Sequence, residues 1–270
     1  MLTVEEISAS EARCRQYRRR ILETSRLLPA LHVAPAFSCL EIVDTAYFAL
    51  MNASTDTFIL SKGHGAMAQY VVLEELGIMT RAQVDSVCQS GSKFGGHPDR
   101  GNPGVIASTG SLGHGLPIAV GLARADHESG ATGTVFVVMS DGEFMEGSVW
   151  ESLLLAPSLG VHNLVILVDH NKSISRGRIP VAHPNMLPLA NKIEAFGWNV
   201  QEAEGHSIAA ISTAAGHKTV DSPLAIVCHT TKGRGVSYME NEPIWAYRSP
   251  NDDEYARAMS ELAEPAVPKL

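Results

Sequence analysis

Short, uninterrupted apolar runs that each end in a polar turn are the feature that most limits what this chain can fold into. The runs lie at 57–60, 134–139, 164–168, 198–203 and 224–228. Helical patterns lie between several of them, at 114–127, 144–159 and 208–218. Continuous Val, Ile and Leu runs are typical of strands buried on both faces, and their alternation with helices indicates a parallel sheet covered on both sides. The sequence therefore predicts a doubly wound, mostly parallel α/β fold.

Two further helices are expected before the first strand, at 8–28 and 38–52, with Ser38 placed to cap the second. The chain has 270 residues, of which 45% are hydrophobic, and this is enough for one large core. We predict a single α/β domain over residues 1–255, with the two N-terminal helices included. A polar, proline-containing C-terminal tail is expected over 256–270.

Charge and composition argue against several classes of protein. The net charge is −8, from 29 acidic and 21 basic residues, which does not suggest a nucleic-acid partner. No uninterrupted apolar run reaches the ~18 residues of a membrane span, and charges near the N-terminus occupy the place where a signal peptide needs an apolar stretch. The four cysteines form no CxxC pair and indicate reduced thiols. We therefore expect a cytoplasmic protein without a membrane or nucleic-acid partner.

Polar residues follow two successive apolar runs. Asp141 follows the run at 134–139, and Asn171 follows the run at 164–168, 30 positions later, which is about one βαβ unit. Because ligands bind beyond the carboxyl ends of parallel strands, their two oxygens and a backbone carbonyl would suit Mg²⁺. Gly142 would open the next helix and bring its N–H towards an anion, so a diphosphate is the expected ligand. In the simpler alternative, Asp141 is only a helix cap and Asn171 only a turn residue.

Three further turns combine glycine with histidine. They read SKGHG at 61–65, GGHPD at 95–99 and TGSLGHG at 109–115, and His32 lies upstream of them. Glycine lets the backbone approach a ligand closely, and histidine bonds hydroxyl or phosphate groups and moves protons near neutral pH. The three turns strengthen the prediction of one site at the strand ends.

Together these motifs resemble the N-terminal, diphosphate-binding half of the transketolases. The family pattern of GDG, then EG, then N after the next strand corresponds to SDGEFMEG at 140–147 and DHNK at 169–172. The three Gly/His turns follow the family order, and KGRGVSYMEN at 232–241 is also similar. The resemblance covers roughly residues 21–255 and implies a thiamine diphosphate-binding fold.

The resemblance implies a role for each residue that matches the family motifs. Asp141, Asn171 and the Ser173 carbonyl would hold Mg²⁺ (or Ca²⁺ or Mn²⁺). Gly142 and His64 would contact the diphosphate of thiamine diphosphate.

Other residues would contact the rest of the cofactor and the sugar. The Gly110 carbonyl would accept a hydrogen bond from the pyrimidine amino group, and Leu112 would pack on the thiazolium ring. His32 and His97 would bind sugar hydroxyls, while Glu146, like the glutamate at 151, would lie at a subunit interface near the activating carboxylate. The expected catalytic residues are therefore His32, His64, His97 and Glu146.

In this family the cofactor lies between two domains, and the second domain contributes a glutamate that activates it. The chain therefore resembles the N-terminal subunit of a split transketolase, active only with a C-terminal partner subunit, most simply as an α₂β₂ heterotetramer. Met145, Val149 and Trp150 are candidates for the partner surface, or are ordinary core residues. The expected reaction transfers a two-carbon ketol unit from a phosphorylated ketose to an aldose or another acceptor.

Three alternatives remain at this point. A 2-oxo acid dehydrogenase α subunit shares the metal motif but not the SKGHG and GGHP turns. A related enzyme would pass the ketol unit to a carrier protein. The third alternative is a non-catalytic cofactor-binding subunit.

Two positions depart from the family pattern. Ser140 replaces the usual first glycine, which a turn tolerates. Ala246 stands where split transketolases carry a histidine after tryptophan, and alanine cannot donate, accept or shuttle a proton. Either the chemistry tolerates this loss, or another acceptor is used, or the position is engineered; Tyr247 or Arg248 is an alternative donor.

Overall fold

A five-stranded parallel sheet forms the centre of the fold. The computed structural model describes residues 2–28, 31–175 and 177–263. Within these residues the strands are β1 (Thr57–Leu60), β2 (Val135–Ser140), β3 (Leu164–His170), β4 (Ser173–Ile174), β5 (Gly177–Arg178), β6 (Asn199–Glu204) and β7 (Leu224–His229). The order of the sheet is β1-β2-β3-β7-β6, and β4 and β5 form a separate antiparallel hairpin. The doubly wound α/β prediction is confirmed.

Helices cover both faces of this sheet. The α-helices of the described residues are α1 (Val4–Ser25), α2 (Val33–Thr45), α3 (Ala66–Glu75), α4 (Arg81–Asp85), α5 (Gly115–Ser129), α6 (Gly147–Ser158), α7 (Ile179–Ala182), α8 (Leu189–Glu194), α9 (Ile208–Ala215) and α10 (Asp252–Glu261). Successive residues of a strand point to opposite faces. Phe136 and Val138 therefore belong to a core shared with α1, α2, α3 and α9, whereas Val137 belongs to a second core with α5, α6 and α8.

Helix α2 begins five residues earlier than the sequence predicted. Ser38 does not cap it, because it lies buried inside the helix and donates from its Oγ to Oδ1 of Asp169 at 2.7 Å. The apolar stretch from Val33 extends the buried face backwards, and Pro35 is tolerated because it lies in the first turn. With a following π-helical turn, α2 forms the stretch Val33–Leu50, which could span a membrane by length and composition alone (mean hydropathy 1.4). However, 78% of it is buried inside the fold, as in a core helix.

A helix crosses the predicted domain boundary at residue 255. Helix α10 runs through it to Glu261, and Ala258 and Leu262 are buried in the core that α1 also joins. These apolar residues lie one helical turn apart, which places both on the side of α10 that faces the domain. The part of the predicted tail at 264–270 lies outside the described residues.

The strands end level with one another along the carboxyl edge of the sheet. Ser140 of β2 is in register with Asp169 of β3, which is in register with Cys228 of β7. The turns that follow these strands therefore meet at one place, as the sequence predicted.

Candidate active site

A cavity of about 300 Å³ lies at the carboxyl ends of β1, β2, β3 and β7. Nine of the ten residues that the sequence predicted as a site line this cavity, namely His32, His64, His97, Gly110, Leu112, Gly142, Glu146, Asn171 and Ser173. The tenth, Asp141, is fully buried at the end of β2. The fold therefore brings together residues that are up to 141 positions apart in the chain.

The two carboxylate oxygens of Asp141 have different surroundings. Oδ2 accepts a hydrogen bond from the Lys172 backbone N–H at 2.6 Å and lies 2.9 Å from Nδ1 of His170. Oδ1 is buried and has no hydrogen-bond partner among the residues that the structure describes. Burial raises the pKa of the Asp141 carboxyl, and His170 only partly offsets this effect. Because an unpaired buried carboxylate oxygen is costly, Oδ1 is suited to bind a cation.

Asn171 is held in one orientation beside Asp141. Its Nδ2 donates to Oγ of Ser38 at 3.0 Å, and its Oδ1 accepts from the Ser173 backbone N–H at 2.9 Å. Lys172 lies between Asn171 and Ser173 with φ +59°, in the left-handed region, which makes this turn tight. A carboxylate, an amide oxygen and a nearby backbone carbonyl form a donor set that fits a hard divalent cation. Across residues 2–28, 31–175 and 177–263, no three His, Cys, Asp or Glu side chains form a metal site, so a metal here would depend on this mixed set.

Gly142 lines the cavity, but it does not open a helix as the sequence predicted. It lies in a 3₁₀ turn, Asp141–Met145, and α6 begins only at Gly147. A favourable helix dipole at Gly142 is therefore ruled out, because a five-residue turn aligns too few peptide groups. Gly142 can contribute its backbone N–H to the cavity wall, and no more.

Three histidines lie close together in the lining of the cavity. The ring centroid of His32 lies 5.6 Å from that of His97 and 6.2 Å from that of His64. Burial lowers the pKa of His32, and it lowers the pKa of His64 well below its ordinary value, with Lys62 adding to the effect at His64. Both imidazoles are therefore neutral at pH 7 and can donate or accept hydrogen bonds.

Residue 110 must be glycine because of the histidine beside it. Gly110 has φ +130°, and a Cβ atom there would lie 2.9 Å from Cγ of His97. Any side chain at this position would displace His97 from the cavity. The glycine thus lets the backbone of the 109–115 turn approach both His97 and the cavity.

An ion pair that the sequence did not reveal lies below the cavity. Lys62, in the SKGHG turn, and Asp169, near the end of β3, form a salt bridge with no exposure of either side chain. The other carboxylate oxygen of Asp169 accepts hydrogen bonds from Ser38 and Thr230. Burial alone would raise the pKa of Asp169, but these partners hold it below its ordinary value. The network connects α2 to the ends of β1, β3 and β7.

A second lysine was also missed. Lys232, in the KGRG turn after β7, lines the cavity and is only 6% exposed. Its ammonium group donates no hydrogen bond to any residue in the described part of the chain. Burial, with Lys62 nearby, lowers its pKa. A mostly buried lysine that lines a cavity places a positive charge there and indicates a site for an anion.

Ala246, which stands in place of the family histidine, and its neighbours Tyr247 and Arg248 have different surroundings. Ala246 lines the cavity, and its backbone carbonyl accepts a hydrogen bond from Nδ1 of His32 at 2.5 Å. Tyr247 also lines the cavity and donates from its hydroxyl to the Ser175 carbonyl at 3.3 Å. Arg248 instead stacks on the Trp245 ring at 4.4 Å and pairs with an acidic residue of α10. Of the two alternative donors, only Tyr247 faces the cavity.

The three apolar residues predicted on the helix after SDGE do not share one environment. Val149 is fully buried, and Trp150 packs on Phe144 and donates from Nε1 to the Phe144 carbonyl at 2.8 Å. Val149 therefore belongs to the core, and Trp150, which is partly exposed, packs against it. Only Met145 is exposed, at 37%.

A family model and several known proteins match this chain. The family model described as "Transketolase, thiamine diphosphate binding domain" matches residues 44–254. An apulose-4-phosphate transketolase subunit of Actinobacillus succinogenes is 37% identical, and the match covers 94% of this chain and 96% of that one. The 6-deoxy-6-sulfo-D-fructose transketolase subunit SqwG of a Clostridium species is 32% identical, over 83% of this chain and 86% of its own length.

Solved structures show the same fold. The transketolase from Leishmania mexicana superposes with a TM-score of 0.85 at 26% identity. The match covers 98% of this chain and 42% of that one. The chain thus spans about two fifths of the length of that transketolase.

Proposed function

The chain belongs to the transketolase family, and on that basis we propose that it is the thiamine diphosphate-binding subunit of a two-subunit transketolase. Its reaction is the transfer of a two-carbon ketol unit from a phosphorylated ketose to an aldose. The observation that carries this proposal is the buried Oδ1 of Asp141, which has no partner among the described residues and lies beside a cavity that Asn171 and Lys232 line. A 2-oxo acid dehydrogenase subunit is not favoured, because the matching family model is that of the transketolases.

The residues of the cavity divide between a metal and a diphosphate. Asp141, Asn171 and the Ser173 carbonyl would hold Mg²⁺, or Ca²⁺ or Mn²⁺ in its place. The backbone N–H of Gly142 and the side chains of His64 and Lys232 would face the diphosphate. Metal and lysine charges together neutralise a diphosphate that would otherwise enter a buried site at high cost.

The remaining residues would orient the organic part of the cofactor, which supplies the electron sink for the reaction when bound. The Gly110 carbonyl would accept from the pyrimidine amino group, and Leu112 would pack on the thiazolium ring. Both lie on the 109–115 turn, whose backbone at Gly110 passes close to His97.

His32 and His97 would bind the hydroxyl groups of the sugar. The Ala246 carbonyl can only accept a hydrogen bond, so Nδ1 of His32 carries the proton in this contact. Nε2 of His32 is then the unprotonated nitrogen, because burial lowers the pKa of the ring. His32 would accept a hydrogen bond or a proton from a sugar hydroxyl.

The partner subunit would bind over α5 and α6. Ile118 of α5 and Leu154 and Leu155 of α6 are 40%, 59% and 48% exposed, and the two helices pack side by side. Helix α6 starts beside Glu146, which lines the cavity, so a second chain seated on this face would also reach the cofactor. Two relatives of nearly the same length are named as subunits of an apulose-4-phosphate transketolase, which supports a partner chain and an assembly such as α₂β₂.

The substrate would be a ketose phosphate or a close analogue. One relative is named for apulose 4-phosphate and another for 6-deoxy-6-sulfo-D-fructose, which are both ketoses with an anionic end. A cytoplasmic location is also proposed, and the four free cysteines support it.

The test is to purify the chain and a C-terminal transketolase subunit separately and to assay each alone and mixed. Thiamine diphosphate, Mg²⁺ and ribose 5-phosphate would be supplied with fructose 6-phosphate, apulose 4-phosphate or 6-deoxy-6-sulfo-D-fructose as the donor. Turnover is expected only on mixing. Full turnover by the chain alone would contradict the two-subunit proposal, and no cofactor binding by the mixture would contradict the function itself.

A further inference from the structure

The carboxylate of Glu143 joins three separate turns below the cavity. Oε2 accepts a hydrogen bond from the backbone N–H of Ser140 at 2.8 Å. Oε1 accepts from the backbone N–H of Gly113 at 3.1 Å and from Oγ of Ser61. Glu143 has no exposed surface, and burial raises the pKa of its carboxyl, an effect that these donors only partly offset.

Local capping of a helical turn accounts for only one of these contacts. A glutamate three residues after a serine commonly caps the backbone N–H of that serine, and Oε2 of Glu143 does so for Ser140. Oε1 is not needed for this local bond. It bonds instead to turns that are 82 and 30 residues away along the chain, those of Ser61 and Gly113.

The turn that contains Gly113 carries two residues that line the cavity, Gly110 and Leu112. Gly113 itself is held on both sides, because its N–H donates to Glu143 and its carbonyl accepts from Oγ of Ser148 at 2.8 Å. The other end of the turn is held at Thr109, whose Oγ1 donates to the Leu60 carbonyl at 2.7 Å.

Between these anchors the turn has little intrinsic rigidity. Gly110 and Gly113 have φ values of +130° and +81°, and glycine is free to adopt many other conformations in an unrestrained chain. The contacts at each end must therefore select the conformation that places Gly110 and Leu112 at the cavity.

We propose that Glu143 is a positioning residue that holds the 109–115 turn in the conformation that receives the organic part of the cofactor. This inference rests on the proposed function, because Gly110 and Leu112 matter to a cofactor only if the cavity binds one. Glu143 acts through Gly113 and lies beneath the cavity surface.

The first test uses the full chain without cofactor, so that it is independent of activity. Glu143→Gln keeps the shape of the side chain but replaces one acceptor oxygen by an NH₂ group, which cannot accept from the backbone N–H that it faces, that of Ser140 or that of Gly113. We expect the amides of residues 110–114 to exchange with deuterium about 10-fold faster or more, while β2 and β3 keep their protection. Ser148→Ala, which releases Gly113 from the other side, should produce the same local change.

The second test measures the Kd for thiamine diphosphate, with Mg²⁺, in the complex with the partner subunit. Glu143→Gln is expected to raise it about 10-fold or more. The matched control is Asp44→Asn. Asp44 is another fully buried carboxylate, near the end of α2, and it pairs with Arg13 of α1. It should lower stability but leave the Kd within about twofold.

Unchanged exchange at 110–114 in a folded Glu143→Gln chain would overturn the inference. So would a uniform loss of protection across the whole domain, because Glu143 would then only stabilise the fold. An unchanged Kd beside a binding wild-type complex would also overturn it. Failure of the wild-type complex to bind thiamine diphosphate would instead overturn the proposed function, and the two failures are thereby distinguished.

Discussion

The backbone carbonyl of Ala246 lies 2.5 Å from Nδ1 of His32. The residue that lacks a functional side chain therefore still acts on the site, because its main chain selects which nitrogen of His32 carries the proton. The same contact fixes the Trp-Ala-Tyr turn at the cavity, with Trp245 buried on one side and Tyr247 facing the cavity on the other.

The first prediction concerns the missing histidine at this turn. Ala246→His keeps the backbone contact to His32 and adds a donor at the cavity. Because one donor aimed at developing charge is commonly worth about 10²–10³-fold in rate, kcat should rise with little change in KM. The measurement is steady-state kinetics of wild type and variant with the same partner subunit.

The controls for this prediction use the neighbouring residues. Arg248→Ala should leave kcat nearly unchanged, because Arg248 is tied to Trp245 and Glu254. An unchanged kcat in Ala246→His, together with a large loss in Tyr247→Phe, would show that the tyrosine hydroxyl already supplies the donor.

The second prediction concerns the metal. Asp141→Ala removes the buried oxygen that has no partner in the described chain. Mg²⁺-dependent binding of thiamine diphosphate should fall about 100-fold or more, because the diphosphate charge is then poorly neutralised. Isothermal titration calorimetry of the assembled complex measures it, with the exposed Asp253→Ala as the control. Unchanged affinity in Asp141→Ala would remove this residue from the site.

The third prediction concerns Lys232. Lys232→Met keeps most of the side-chain volume and removes the buried ammonium. Affinity for thiamine diphosphate should fall about 10–100-fold, as expected when one partner of a buried charge pair is lost. Affinity for thiamine, which lacks the diphosphate, should not change. Equal losses for the two ligands would mean that Lys232 acts on the shape of the cavity and not on the anion.

The fourth prediction concerns assembly. Leu155→Asp on the exposed face of α6 should prevent association with the partner subunit, because a charge is costly at the centre of an apolar interface. The stability of the chain alone should change by no more than about 0.5 kcal/mol, as for other exposed positions. Sedimentation velocity of the mixture and urea unfolding of the chain separate the two effects. Normal assembly of Leu155→Asp would place the interface elsewhere.

A contrasting variant tests the assignment of Val149 to the core. Val149→Ala should destabilise the domain by about 1–3 kcal/mol, since it opens space in the core, but the folded variant should still bind the partner.

The fifth prediction concerns stability at acid pH. Burial would raise the pKa of Glu41, but Arg18 and His206 lower it to about 2, from an ordinary value of 4.5. Because the folded-state pKa is depressed, this contribution is complete above pH 4.5 and is lost as the pH falls towards 2. Between pH 7 and pH 3 the wild-type chain should lose about 2 kcal/mol more than Glu41→Gln. Urea unfolding at several pH values measures this difference.

The control for the acid prediction is Glu128→Gln, at an exposed position. It should follow the wild-type pH dependence, because surface ion pairs contribute little. Identical pH dependence in wild type and Glu41→Gln would show that the carboxylate titrates normally.

The sequence by itself determined the sheet and the place of the site. Buried apolar runs and the turns after them are local patterns, and Asp141 and Asn171 follow directly from where two such runs end. Parallel strands must present these ends at one edge, so the convergence of the Gly/His turns could be predicted without coordinates.

Only the tertiary structure decided how these residues are held. The bond from Lys62 to Asp169 spans 107 residues, and that from Ser61 to Glu143 spans 82. No periodicity or turn propensity encodes such pairs, because they depend on which turns meet and on how far water is excluded. The same reason explains why Ser38 was mistaken for a helix cap, why Gly142 was mistaken for a helix start, and why the buried ammonium of Lys232 was missed.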